Sequence, residues 1–323
     1  MKTARVSINH RCHSVIRPAV RNADTRYSAD YNDFRVPNTV SERIPARLRA
    51  VNSRQHPLVK QLRQAFSQGQ AVEGMCAVEG VRLIEEAIRS RLKLHALFIR
   101  ESTQAKAERV LDQLSKHAEA VLLPDSVFDS AVLTEHPQGI AALIKVREHD
   151  LDSALTPMPA MVVIAAAIQD PGNFGTLIRS AEAFGATAVV ATDGTVNQWS
   201  PKTVRASAGS IFRLPVMKTA AEELITQLRT RGIATLALTT PHAQGEEFGD
   251  GSSPRSPRRL QDTDLTRPCA LFVGNEGAGL SRELVGRIDE FIAIPQSRVE
   301  SLNAGVAASI ALYEAQRQRS AKP

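Results

Sequence analysis

From Met161 to the end of the chain, short apolar runs of strand length alternate with segments whose apolar residues recur at helical spacing. The run Met161–Ile168 contains no polar residue and is rich in β-branched ones. A strand apolar on both faces must be covered on both, and a parallel sheet with helices on each side provides that cover. Further runs of this kind are Ala188–Ala191, Ala234–Thr239, Leu271–Val273 and Phe291–Ile294. Between them, Leu177, Ala181 and Phe184 recur at i, i+4 and i+7. Leu224, Ile225 and Leu228 form a helix that Gly232 stops, Leu284 and Ile288 mark another, and Val306, Ile310 and Tyr313 mark the last. The pattern predicts an α/β fold with a parallel sheet.

The first half alternates as well, with shorter elements. Helices are expected at Pro57–Gln68, Val81–Arg89 and Lys106–His117, and strands at Cys76–Val78, Ala96–Ile99, Val121–Leu123 and Ile140–Val146. The domains read as a polar, Arg-rich disordered tail over 1–45, a small α/β domain over 46–148, a linker over 149–159 and a second α/β domain over 160–323. Residues 241–267, rich in Gly, Ser, Pro and charge, read as a flexible insertion in the second domain.

Charge needs to be located before it is used. The formal net charge is +6, and residues 1–50 hold ten Lys and Arg against four Asp and Glu, leaving thirty of each sign in the remainder. The excess therefore belongs to the tail, whose first 23 residues contain no acid. A basic tail that touches RNA backbone is expected there, with an organellar transit segment as the alternative. Cys12, Cys76 and Cys269 are odd in number and widely spaced, so neither a disulfide framework nor a Cys-based metal site is expected. No run approaches the ~18–20 apolar residues of a membrane span. A soluble, cytoplasmic protein without metal or membrane partners is the expectation.

Three clusters place polar residues and glycines just after a strand, where open α/β sheets hold ligands. They are Gln169-Asp170-Pro171-Gly172-Asn173-Phe174-Gly175 with Arg179, then Gly274-Asn275-Glu276-Gly277-Ala278-Gly279, then Ile294-Pro295 with Ser301-Leu302-Asn303. Taken singly, the glycines read as turn glycines, Ser301 and Asn303 as helix caps and Arg179 as a solvated charge. The spacing G-x-x-G-x-G is not that of a dinucleotide-binding turn, and no Lys-Ser or Lys-Thr follows to make a phosphate loop. The eight histidines are scattered along the chain.

In this order and combination the clusters resemble the three motifs of the SpoU (TrmH-like) family of RNA ribose 2′-O-methyltransferases, in the SPOUT superfamily. The likeness spans about residues 160–320 and extends to Ser200-Pro201-Lys202 and Val204-Arg205-Ala206-Ser207-Ala208-Gly209. In the first domain, Asn52-Ser53, His56-Pro57-Leu58-Val59-Lys60, Val78-Glu79-Gly80 and Gln138-Gly139 are similar to the L30e-like, ribosomal-protein-type domain that binds substrate RNA.

The resemblance implies S-adenosyl-L-methionine as cofactor, a ribose 2′-hydroxyl as acceptor, a C-terminal trefoil knot and a homodimer. It implies RNA as partner, with large-subunit ribosomal RNA favoured over transfer RNA. A non-catalytic ribosome-assembly factor is the rival from another class. By motif position, Gly274, Ile294, Leu302, Thr239 and Thr240 are carried over as cofactor contacts, and Arg179, Asn173, Glu276, Ser301 and Asn303 as catalytic residues. Arg179 is placed at the acceptor, as base or as phosphate clamp, and Glu276 is expected to fix Arg179 or loop backbone.

Overall fold

The structure is a computed structural model and describes residues 48–69, 73–115, 117–240, 257–299 and 301–321. The tail over 1–45 and residues 241–256 of the expected insertion lie outside the described residues.

The first half folds as β1 (Leu48–Ala50), α1 (Pro57–Gln68), β2 (Met75–Glu79), α2 (Val81–Arg89), β3 (Leu94–Arg100), α3 (Glu108–Leu111), β4 (Glu119–Leu123), α4 (Asp125–Val132) and β5 (Ile140–Lys145). Its five-stranded sheet runs β1-β4-β3-β5-β2, with β1, β4 and β3 parallel and β5 antiparallel to both its neighbours. Helix α1 is bounded by local chemistry. His56 Nδ1 accepts from Leu58 N at 3.3 Å, Pro57 opens the first turn, and Gly69 closes it in the left-handed conformation, φ 56°.

Two expectations are corrected here. Instead of a helix over Lys106–His117, a 3₁₀ stretch at Glu101–Ala107 leads into the single turn of α3. Thr103 breaks helical geometry because its hydroxyl donates to the Arg100 and Gly139 carbonyls, which pins the stretch to the sheet end. Helix α4, which the expected elements omit, buries Val127, Phe128, Ala131 and Val132.

The second half folds as α5 (Leu151–Leu155), β6 (Met161–Ala165), α6 (Pro171–Ala183), β7 (Ala188–Ala191), α7 (Pro201–Ala206), β8 (Val216–Lys218), α8 (Ala221–Thr230), β9 (Ala234–Thr239), β10 (Arg258–Arg259), β11 (Cys269–Val273), α9 (Arg282–Val285), β12 (Glu290–Ala293) and α10 (Ala304–Ser320). Its seven strands are all parallel, in the order β10-β12-β9-β11-β6-β7-β8. Val163 and Ala165 of β6 share one core with α6 and α10, while Val162 and Ile164 share the other with α5, α8 and α9. Burial on both faces is what the unbroken apolar run of β6 requires. Strand β11 inserts between β6 and β9, and β12, next in the chain, lies beyond β9.

The expected linker is partly helical. Asp150 caps α5 by accepting from Ser153 N at 2.8 Å, and Ala154 and Leu155 are buried against the second sheet. The described end of the expected insertion is also built into the fold: β10 pairs with β12, and Leu260 and Leu265 are buried. Helix α10 departs from its expected orientation. Val306, Ile310 and Tyr313 are 45%, 37% and 56% exposed, while Ala304, Ala308, Ala311, Leu312 and Ala315 face the core. The small residues let α10 lie against α6 closely enough for the Ser180 and Ser309 hydroxyls to meet at 2.7 Å.

The far end of α10 is bolted to the strand starts. Arg319 donates to the carbonyls of Leu265, Pro159, Ala160 and Arg267 at 2.8–3.1 Å. Arg319→Ala leaves these acceptors without their charged donor and is expected to lower unfolding free energy by about 3 kcal/mol. Urea denaturation checks this, and a loss under about 0.5 kcal/mol, the size of an ordinary surface substitution, would show that water replaces the guanidinium.

Candidate active site

The carboxyl ends of β9, β11 and β12 and the start of α10 enclose a cavity of about 840 Å³. All five residues expected to touch cofactor line it: Thr239 at the end of β9 and Thr240 just after it, Gly274 after β11, Ile294 after β12, and Leu302 before α10. Glu276 and Ser301 line it as well, and Asn173, Asn303 and Arg179 do not.

The loop after β11 is shaped by Asn275. Its backbone pairs in both directions with Gly279, at 2.9 and 3.0 Å, and its Oδ1 accepts from Gly277 N and Ala278 N, both at 2.9 Å. Its Nδ2 donates to the Ala167 carbonyl at 3.0 Å. Ala167 sits at φ 58°, a left-handed backbone unusual for a side-chain-bearing residue, two positions after β6. Asn275 therefore ties the second cluster to the first. Gly274 lacks room for a side chain for a different reason than a ligand: an added Cβ would lie 2.6 Å from the Gly279 carbonyl carbon and 2.9 Å from Leu280 N. The loop's own backbone fills the space.

The three clusters meet in a chain of polar side chains. Asn173 Nδ2 donates to Glu276 Oε1 at 2.7 Å, and Asn303 Nδ2 donates to Asn173 Oδ1 at 2.7 Å. Asn303 also caps α10, its Oδ1 accepting from Val306 N at 3.2 Å. Asp170 caps α6 by accepting from Asn173 N at 2.7 Å, which fixes the backbone from which Asn173 reaches out. The partner of Glu276 is thus Asn173 rather than Arg179. The Arg179 side chain is exposed on α6 and makes no hydrogen bond or ion pair among the described residues. A guanidinium so exposed is available to an anionic ligand.

The cavity suits a nucleoside-sized ligand and disfavours a polyphosphate. Its lining combines apolar faces of Leu238, Val273, Ile294 and Leu302 with hydroxyls of Thr239, Thr240 and Ser301 and loop backbone, and its charges among the described residues are one acid, Glu276, and one base, Arg282. A di- or triphosphate calls for several cations or a phosphate loop, whereas S-adenosylmethionine carries a sulfonium, an amino group and a carboxylate. The residues present therefore fit that cofactor. Among the described residues no group of three His, Cys, Asp or Glu could hold a metal ion. Asn275, Gln296 and Arg282 were not among the expected site residues. Asn275 stood inside the second cluster, and its Asx geometry over Gly277 was the available signal.

Fold and site define an α/β group-transfer enzyme that holds a nucleoside cofactor at strand ends without a phosphate loop. The SpoU rRNA Methylase family model matches residues 160–313, and the MRM3-like substrate binding domain model matches residues 57–142. The chain is 32% identical to 23S rRNA (guanosine(2553)-2′-O)-methyltransferase RlmP of Bacillus subtilis over 73% of its length and 86% of the relative's. It is 30% identical to 23S rRNA (uridine(2479)-2′-O)-methyltransferase of Streptomyces viridochromogenes, over 76% and 84%. The solved SpoU methyltransferase AviRb of the same organism, in complex with AdoMet, superposes with a TM-score of 0.70 at 25% identity, covering 83% of this chain and 100% of that one. An AdoMet-bound rRNA methyltransferase of Sinorhizobium meliloti superposes with a TM-score of 0.69 at 26% identity, covering 84% and 98%. This chain belongs to the SpoU rRNA methylase family.

Proposed function

We propose that this protein transfers the methyl group of S-adenosylmethionine to a ribose 2′-hydroxyl of large-subunit ribosomal RNA. The observation that carries the reading is the adjacency of the cavity to the Asn173–Glu276–Asn303 chain, with Arg179 exposed and unpaired among the described residues on the helix that bears Asn173. The bound cofactor supplies a methyl group already activated on sulfur. The protein's own residues align it and handle the acceptor. Thr239, Thr240, Gly274, Ile294 and Leu302 hold the cofactor, and Glu276 and Ser301 border it on the acceptor side. Arg179 acts by pairing with the phosphate next to the acceptor ribose and stabilising the developing 2′-oxyanion. Asn173 and Asn303 keep the loops in register, which is where positioning contributes to rate.

The reading assigns residues 46–148 to RNA binding and 160–323 to catalysis. Insertion of β11 between β6 and β9, followed by β12 beyond β9, supports a trefoil knot around residues 274–303. The exposed stripe of Val306, Ile310 and Tyr313 supports a homodimer through α10, because such a row on a helix beside a site is costly to leave in water. Ile310→Asp is expected to give a monomer in light scattering and to lose most activity. A fully active Ile310→Asp dimer would place the interface elsewhere. Buried thiols at Cys76 and Cys269, both held protonated chiefly by burial, are consistent with a reducing, cytoplasmic setting.

The test is transfer of labelled methyl from S-adenosylmethionine to purified ribosomal and transfer RNA in parallel. Label in large-subunit RNA is expected. Label confined to transfer RNA would redirect the substrate, and label in neither would favour an assembly factor.

A further inference from the structure

We infer that Arg213 is a positioning residue that locks the RNA-binding sheet onto helix α6 and thereby selects which ribose reaches Arg179. The inference rests on the proposed function for its substrate and on the geometry for everything else.

Arg213 follows the 3₁₀ turn Ser210–Phe212, where the two sheets' layers meet. Its guanidinium grips Glu182 of α6 with both prongs, Nε to Oε1 at 2.5 Å and Nη2 to Oε2 at 2.9 Å. Its remaining arm donates from Nη1 to Glu86 Oε2 on α2 at 2.7 Å. Bidentate pairing fixes direction as well as distance, so one side chain holds α2 and α6 in a set relation. Glu182 lies three residues beyond Arg179, one helical turn from the side chain assigned to the acceptor. Glu86 Oε1 takes Arg89 at 2.6 Å, and Arg89 also reaches Glu85 at 3.5 Å, so both oxygens of Glu86 are paired with arginines.

Independent contacts show that the approach is close. Gly209, at φ 91°, brings backbone so near α2 that an added Cβ would lie 2.8 Å from Glu86 Cβ. Arg205 of α7 stands 3.6 Å from buried Glu79 of β2, whose other oxygen accepts from Gln138 N at 2.6 Å. Val204, Ile211 and Phe212 share one apolar core with Val78 and Ile84. The sheet that grips RNA and the helix that carries Arg179 are thus held at one spacing. Structured RNA is read by shape, so a fixed spacing between grip and reacting centre picks one ribose. Without the Arg213 fork the apolar contact remains and the angle is free to vary.

The test compares Arg213→Ala with Arg89→Ala, which removes the other partner of Glu86 without touching α6. The full-length variants act on large-subunit ribosomal RNA, with methylated positions mapped by mass spectrometry of RNase fragments. Calorimetric affinity for S-adenosylmethionine is expected to match wild type in both. Arg213→Ala is expected to raise KM for RNA by about tenfold, equivalent to about 1.4 kcal/mol, and to spread methylation onto neighbouring riboses. Arg89→Ala keeps the wild-type KM and single position. Should Arg213→Ala fold poorly, Glu86→Ala removes the acceptor of the same bridge while sparing the grip on Glu182, and the same spread is expected. Unchanged KM and position in a folded Arg213→Ala or Glu86→Ala variant would overturn the inference and leave Arg213 a stabilising residue. Wild-type protein that methylates no RNA would instead overturn the proposed function.

Discussion

Arg179→Ala is expected to lower the rate of methyl transfer by about 10²–10³-fold, the scale for losing one charge-stabilising group from a transition state. The affinity for S-adenosylmethionine should stay within about twofold of wild type, since Arg179 does not line the cavity. The separation follows from placement. The side chain stands exposed on α6 with no partner among the described residues, so its removal strands no described buried group and costs little stability. Single-turnover rates and calorimetry together check the split. A parallel fall in cofactor affinity would place Arg179 on the cofactor side, and an unchanged rate would remove it from the reaction.

Gly274→Ala should act on the other side of the site. Its Cβ would meet Gly279 and Leu280 backbone at 2.6–2.9 Å, and neither can swing aside as a side-chain tip could. The loop must then open, breaking the Asn275–Gly279 pairing and displacing Glu276 from Asn173. Overpacking of this kind costs about 1–3 kcal/mol. Because that strain falls within the cavity wall, cofactor affinity should drop by at least about tenfold, with global unfolding shifted less. Wild-type affinity in a calorimetric titration would mean that the loop is not part of the binding wall.

The central parallel strands were legible because burial on both faces forces an unbroken apolar run. Helix α1 starts and stops where His56, Pro57 and Gly69 set its ends. The stretch after β3 was not, because Thr103 spends its hydroxyl on carbonyls of the sheet rather than on helix, a tertiary bond that no local window contains. Helix α10 shows a related limit. Its stripe of Val306, Ile310 and Tyr313 has the period of a buried face, yet the alanine face packs inward, since closeness to α6 favours small side chains there. Periodicity identifies a helix with two apolar faces without telling which one meets its own chain.

The site was legible at the level of which loops meet. Thr239, Thr240, Gly274, Ile294 and Leu302 all reach one cavity, and Asn173, Glu276 and Asn303 join in one hydrogen-bonded chain. Who bonds whom was not, because the pairings run across more than a hundred residues. Glu276 turned out to hold Asn173 rather than Arg179, and Asn275 proved to hold the left-handed turn at Ala167.

The most direct measurement is the chemical position of the transferred methyl. Wild-type protein is incubated with ribosomal RNA and S-adenosylmethionine bearing a deuterated methyl group, and the RNA is digested to nucleosides for mass spectrometry. The account predicts the heavy methyl on the ribose fragment of one nucleoside of the large-subunit RNA, with none on the base. Heavy methyl on a base, or none in RNA that is otherwise intact, would contradict it.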